Sequence, residues 1–189
     1  LMWNQRYSDC ETLLQENAKN LEYLINDIIK LSELDDSDLK LEFETVDLHE
    51  LGEQCVSSMQ MQAEKNEVTL QLEGMSVPMS GNKTLLEELL FNLCSNAVRY
   101  NKKGGSVTIV TAIENTRPVL IVKDTGIGIP KEQQERVFER FYRVDKSRSK
   151  STGGTGLGLA IVKHIVAQHD AQISMTSEVG VGTEIKVVF

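Results

Sequence analysis

The chain has 189 residues, 40% of them hydrophobic and 25% charged, an ordinary globular composition that excludes a fibrous or disordered chain. Its formal net charge of −8 is uneven: residues 1–64 carry 15 acids against 4 bases, and residues 65–189 carry 13 against 16. An acidic chain excludes nucleic acid as the expected partner, while the mildly basic C-terminal body can still hold a small anion. No apolar run approaches the ~18 residues of a membrane span, and the first residues lack a signal-peptide pattern, so no membrane contact is expected of this stretch. Cys10, Cys55 and Cys94 have no metal-ligand spacing and fit reduced thiols in a cytoplasmic setting.

The first predicted element is one long helix. Tyr7, Cys10, Leu14, Leu21, Leu24, Ile28 and Leu31 follow steps of three and four, with Asn17 in register, and Ile25 and Ile29 widen the apolar face. Either the helix packs on its own domain or its seam pairs with another chain. The acidic cluster Asp35-Asp36-Ser37-Asp38 ends it. Leu41–Val46 then alternates like a strand, Leu48–Asn66 reads as a helix, and Val68–Leu72 alternates again. Residues 82–101 form a strong helix, with a capping-box signal at Thr84-Leu85-Leu86-Glu87. Strands follow at Val107–Ile113 and Val119–Lys123, after the Lys102-Lys103-Gly104-Gly105 turn. A Gly- and Ser-rich tract at 147–156 leads into the helix Leu157–His169, and strands near Gln172–Ser177 and Thr183–Phe189 close the chain. Helices with largely consecutive strands predict a two-layer α+β sandwich.

Three stretches carry chemistry. On the helix 82–101, Glu88, Asn92, Asn96 and Arg99 share one face, opposite Leu86, Leu89, Leu90, Leu93, Ala97 and Val98. That polar face is either merely solvated or supplies Asn carbonyl oxygens to a hard cation such as Mg²⁺, which takes one or two protein oxygens and the rest from phosphates and water. Asp124-Thr125-Gly126-Ile127-Gly128 follows an apolar strand. A carboxylate there can accept from the amino group of adenine, and glycines let a flat base approach, although most such turns are only turns. Gly153-Gly154-Thr155-Gly156-Leu157-Gly158 opens a helix whose N-terminal N–H groups suit a phosphate. Its position late in the chain and the missing Gly-Lys-Ser/Thr pattern disfavour the dinucleotide and P-loop folds. Between the last two motifs, residues 136–150 hold six bases against two acids around Phe138 and Phe141, either a solvated loop or a lid over phosphates.

Together these motifs resemble the sensor histidine kinases of two-component systems, a branch of the GHKL ATPases that also include gyrase, mismatch-repair proteins and heat-shock chaperones. Asn92–Tyr100 resembles their asparagine box, Asp124–Gly128 and Gly154–Gly158 their two glycine boxes, Phe138–Phe141 their phenylalanine box, and Gly182-Thr183 the short last one, in matching order over residues 41–189. Leu21–Ser32 is similar to the end of the second helix of a kinase dimerisation domain. The resemblance implies a GHKL-type fold, a mixed sheet covered by helices on one face, with residues 1–38 belonging to the dimerisation domain and 39–189 forming the catalytic domain. It implies ATP and Mg²⁺ as cofactors, with Asn92 on the metal, Asn96 beside it, and Arg99 and Arg140 on phosphate. Tyr100 would pack on adenine, Asp124 accept from its amino group, Gly126 and Gly128 border the base, and Thr183 reach it through water. The N–H groups of Gly154, Gly156, Leu157 and Gly158 would hold the phosphates. Glu88 stands where hydrolytic relatives keep a general base, and it is the candidate catalytic residue. The implied partners are a phosphoacceptor helix of the same or a partner protomer, a response regulator, and a second protomer in the intact kinase. The implied location is a cytoplasmic domain of a membrane-anchored parent.

Two departures stand out. None of His49, His164 and His169 has the phosphoacceptor context, so all three are expected to be structural and the first dimerisation helix is missing. Gly81-Asn82-Lys83 replaces the usual Asp at the helix start, which predicts only a change of capping. The competing readings are a GHKL-type ATPase switch with Glu88 activating water, and a dimeric module without catalysis.

Overall fold

Alternation along the strands and 3.6-residue periodicity along the helices place the apolar side chains on facing surfaces, and the computed structural model shows how they meet. It describes residues 14, 15, 18, 21, 22, 24–33, 41–144 and 154–189. A helix, α1, covers 24–33, and β1 (Glu44–Asp47) runs directly into α2 (Leu48–Lys65). β2 (Thr69–Gly74) and β3 (Pro78–Gly81) precede α3 (Lys83–Arg99). β4 (Ser106–Glu114) and β5 (Arg117–Asp124) form a hairpin. Two 3₁₀ turns, Lys131–Gln133 and Arg136–Phe138, follow, then α4 (Gly158–Gln168), β6 (Gln172–Glu178) and β7 (Gly182–Val188).

The main sheet has the order β2-β4-β5-β7-β6; β2 and β4 are parallel and the other pairs antiparallel, so the sheet is mixed. Ile109 pairs with Val122, and Val122 with Ile185, lining up one apolar row across three strands. On the covered face Val107, Ile109, Val122 and Val187 meet Met59 of α2, Leu89, Leu90 and Leu93 of α3, and Ile161 and Ile165 of α4 in one core. Each such side chain contributes about 1.5–3 kcal/mol by leaving water. Lys123 and Glu184 occupy the other face as an exposed pair. This is the expected α+β sandwich.

Several details depart from the sequence reading. The first strand is Glu44–Asp47 rather than Leu41–Val46, and it pairs antiparallel with β3, which local alternation did not reveal in only four residues. The capping box at Thr84–Glu87 does not form. Asn82 is the N-cap of α3, accepting from the Leu85 N–H at 3.0 Å, so the orphan donors are served before Thr84 is reached. The Asn82 N–H also donates to His169 Nε2 at 3.1 Å, while His169 Nδ1 donates to the Ile165 carbonyl at 2.8 Å. Burial pushes the His169 pKa down, in keeping with this neutral tautomer. His169 is therefore a structural clamp, as expected, and His49 meets Thr111 Oγ1 at 2.8 Å in the same spirit.

The heptad seam of α1 splits. Leu31 is 5% exposed and Leu24 packs against the core, whereas Ile25, Ile28 and Ile29 are about half exposed. Tyr7, Cys10, Asn17, the acidic cluster 35–38 and the basic stretch 145–153 lie outside the described residues. Among the described residues, no helix is long and apolar enough to cross a membrane.

Candidate functional site

The site begins with α3. Its Leu86, Leu89, Leu90, Leu93, Ala97 and Val98 are buried, so Glu88, Asn92, Asn96 and Arg99 turn together to the opposite, half-buried side. Asn92 Nδ2 donates to the Glu88 carbonyl at 3.0 Å, which leaves its Oδ1 as the acceptor end of the side chain. A Cβ on Gly158 would lie 2.8 Å from that oxygen and 3.7 Å from Asn96 Nδ2. Both asparagine side chains therefore face the first residue of α4, whose N-terminus has no side-chain cap. Here a neutral oxygen donor meets a helix N-terminus without a side-chain cap, a combination suited to a hard cation together with phosphate.

Gly154 extends this pole. A Cβ there would stand 2.9 Å from an Arg99 guanidinium nitrogen, 3.3 Å from the Tyr100 hydroxyl and 3.7 Å from an Arg143 nitrogen. Arg99, Tyr100 and Arg143 thus close around the glycine tract. Gly156 has φ +75° and its carbonyl accepts from the Phe141 N–H at 3.0 Å, stitching the phenylalanine-rich segment to the tract. The Leu157 side chain is fully buried and its N–H donates to Thr155 Oγ1 at 3.2 Å, so this N–H is engaged within the protein rather than offered outward.

The second pole is Asp124, at the end of β5. Its Oδ1 accepts from the Gly126 N–H at 2.8 Å and the Thr183 N–H at 3.2 Å. Burial raises its pKa, and these two hydrogen bonds oppose the rise. The glycines serve the chain's own crossings. A Cβ on Gly126 would sit 2.4 Å from the Tyr100 carbonyl oxygen, and Gly128, at φ +69°, would meet the Glu178 carbonyl at 2.0 Å. Tyr100 links the two poles, because its carbonyl accepts from the Ile127 N–H at 3.1 Å. Thr183 Oγ1 and Ser177 Oγ lie 2.8 Å apart, and Ser177 Oγ accepts from the Ile129 N–H at 2.8 Å.

Arg140 stands on the outer side. It approaches His164 Nε2 at 3.1 Å and lines a cavity with Ile28, Leu31, Ser32 and Phe141, toward α1. Three further groups were not singled out by the sequence reading. Ser177 and Gln134 brace the glycine loop, with Gln134 Nε2 donating to the Ile129 and Ser177 carbonyls at 2.9 Å. Lys30 pairs with Glu88 at 2.6 Å. Only the alternation of charge along α1, with Asp27, Lys30 and Glu33 at three-residue steps, hinted at one of them.

The family described as "Histidine kinase-, DNA gyrase B-, and HSP90-like ATPase" matches residues 81–189. The sensor-like histidine kinase SenX3 of Mycolicibacterium smegmatis is 38% identical over 161 residues, covering 85% of this chain and 42% of SenX3. The drug sensory protein A of a Synechocystis strain is 43% identical, over 95% of this chain and 28% of its own length. Full-length ShkA, solved in complex with AMPPNP, superposes with a TM-score of 0.81 at 27% identity, covering 94% of this chain and 37% of that one. The chain thus spans less than half the length of these relatives.

Proposed function

The chain belongs to the histidine kinase-, gyrase B- and HSP90-like ATPases, and from that premise we propose that it is the ATP-binding catalytic part of a sensor histidine kinase. The γ-phosphoryl group of Mg·ATP passes to a nitrogen of a histidine on a dimerisation helix outside this chain, and ADP leaves. One observation carries this reading: Asn92 and Asn96 face the uncapped N-terminus of α4 at one pole, while a half-buried carboxylate, Asp124, is held at the other. Asp124 receives the adenine amino group, Tyr100 and Thr183 flank the base, and Gly126 and Gly128 shape the loop beneath it. Arg99, together with the N–H groups of Gly154, Gly156 and Gly158, receives the phosphates, and Arg140 reaches them only after turning from His164.

The donor set fits Mg²⁺. Among the described residues no cluster of three His, Cys, Asp or Glu side chains occurs, and Asn92 Oδ1 is a neutral oxygen beside the phosphate pole, as expected where phosphates and water complete the coordination. When bound, the ion supplies charge neutralisation on the phosphate oxygens. The protein's own work is to position: α3 and α4 fix the two walls, and the dipole end of α4 stabilises negative charge.

Residues 1–38 act as the second dimerisation helix and 39–189 as the catalytic domain. The half-exposed Ile25, Ile28 and Ile29 support a role for α1 in pairing with a phosphoacceptor helix of the same or a second protomer, in a homodimeric, membrane-anchored parent whose cytoplasmic response regulator takes the phosphoryl group. Adding a separately made phosphoacceptor hairpin and labelled ATP tests this: label on a hairpin histidine is expected, and none on the hairpin overturns it. Fast phosphate release that Glu88→Ala abolishes would instead favour the hydrolytic switch.

A further inference from the structure

The β6–β7 pairing sets Ser177 directly opposite Thr183, so both side chains share one face beside the Asp124 pole. Ser177 Oγ has three neighbours within hydrogen-bond reach: the Ile129 N–H at 2.8 Å, the Gly182 carbonyl at 3.1 Å and Thr183 Oγ1 at 2.8 Å. A serine hydroxyl owns one proton and two lone pairs. The Ile129 N–H can only donate, so it occupies one lone pair. The Gly182 carbonyl can only accept, so it takes the proton. Thr183 must then donate its own proton to the second lone pair. No other assignment makes all three contacts hydrogen bonds. A Ser177 proton turned to Thr183 would leave the carbonyl of the buried Gly182 facing a bare lone pair.

This assignment fixes the polarity of Thr183. With its proton spent on Ser177, Thr183 Oγ1 presents only lone pairs to a ligand. Asp124 stands next to it, the Thr183 N–H meeting its Oδ1 at 3.2 Å, and an ionised carboxylate is likewise an acceptor only. An edge made of two acceptors favours a ligand that donates there and opposes one that carries an oxygen there. We propose that Ser177 is a positioning residue that holds Thr183 as an acceptor, sharpening the preference of this pole for 6-aminopurine over 6-oxopurine nucleotides. The proposal rests on the reading of the Asp124 pole as the base site. Gln134 serves the same loop differently. Its Nε2 donates to the Ile129 and Ser177 carbonyls at 2.9 Å, bracing the loop without fixing the polarity of either hydroxyl.

The experiment uses the full chain with magnesium and measures ADP and inosine diphosphate binding by calorimetry. These two ligands differ only in the 6-substituent and the protonation of the adjoining ring nitrogen. The wild type is expected to prefer ADP. Ser177→Ala frees the Thr183 proton to turn toward the ligand, and is expected to shrink that preference roughly tenfold, the worth of about one hydrogen bond. Thr183→Val removes the hydroxyl and should shrink the preference too, and adding Ser177→Ala to it should change the preference no further. Gln134→Ala is the structural control, expected to weaken both ligands alike and to keep their ratio. Equal wild-type affinities, an unchanged ratio in Ser177→Ala, an equal shift in Gln134→Ala or a further shift in the double variant each overturns the role of Ser177. All four leave the nucleotide site standing. If Ser177→Ala does not fold, Thr183→Val decides: a reduced ratio supports the proposal and an unchanged one overturns it. If the wild type binds neither ligand, the nucleotide reading falls with it.

Discussion

The two poles of the site are built in opposite ways. The Asp124 pole is woven into the sheet: β5 and β7 are paired neighbours, Asp124 accepts from two backbone N–H groups, and Gly126, Gly128 and Gly182 sit where other backbone segments cross within a Cβ's reach. The phosphate pole is held between helices, with Gly154, Gly156 and Gly158 resting against the side chains of Arg99 and Asn92 and the backbone of Phe141. A base needs one fixed complementary surface, whereas a transferred phosphoryl group needs a wall that can admit and release it. The difference shows why rigid backbone pairing sits at one end and replaceable side-chain contacts at the other.

The largest expected effect breaks the rigid pole. Gly182→Ala would place a Cβ 2.0 Å from the Asp124 carbonyl oxygen at φ +144°, and it is expected to destabilise the fold by about 3 kcal/mol, read from urea unfolding. Asp124→Ala removes the acceptor for adenine and is expected to weaken AMPPNP binding roughly a hundredfold by calorimetry; unaltered affinity would dismiss its role. Asn92→Ala touches the other pole, and its roughly tenfold loss should appear only when magnesium is present.

Acid should separate two carboxylates. Asp124, raised by burial, favours the folded state most in acid and gives up that contribution as pH rises through its folded pKa; nucleotide affinity should therefore decline on acidification sooner than an ordinary carboxylate would allow. Asp47, lowered chiefly by its hydrogen bond from Ser76, does the reverse, its stabilisation being present above the usual carboxylate range and lost as pH falls through its folded pKa. As the N-cap of α2, accepting from the His49 N–H at 2.8 Å, it is worth about 1 kcal/mol, so Asp47→Ala should lower stability slightly and leave nucleotide affinity alone.

Much of this was legible along the chain. The 3.6-residue periodicity of α3 separated Leu86, Leu89 and Leu93 from Glu88, Asn92 and Asn96, and both faces lie where that periodicity put them. β3 was not legible, because four residues paired only with β1 leave too short a pattern. Asn82 displaced the expected capping box because this extended residue, two positions before Thr84, already caps the Leu85 N–H.

The sequence alone determined which residue types stand at each pole, since their spacing on one helix and around two loops is local and reads directly from residue order. Only the tertiary structure decided that Glu88 meets Lys30, 58 residues away, that Thr155 meets Asp27, 128 residues away, and that Leu31 is buried while Ile28 is not. Such contacts follow from how packed elements happen to face one another, and neither periodicity nor propensity records that.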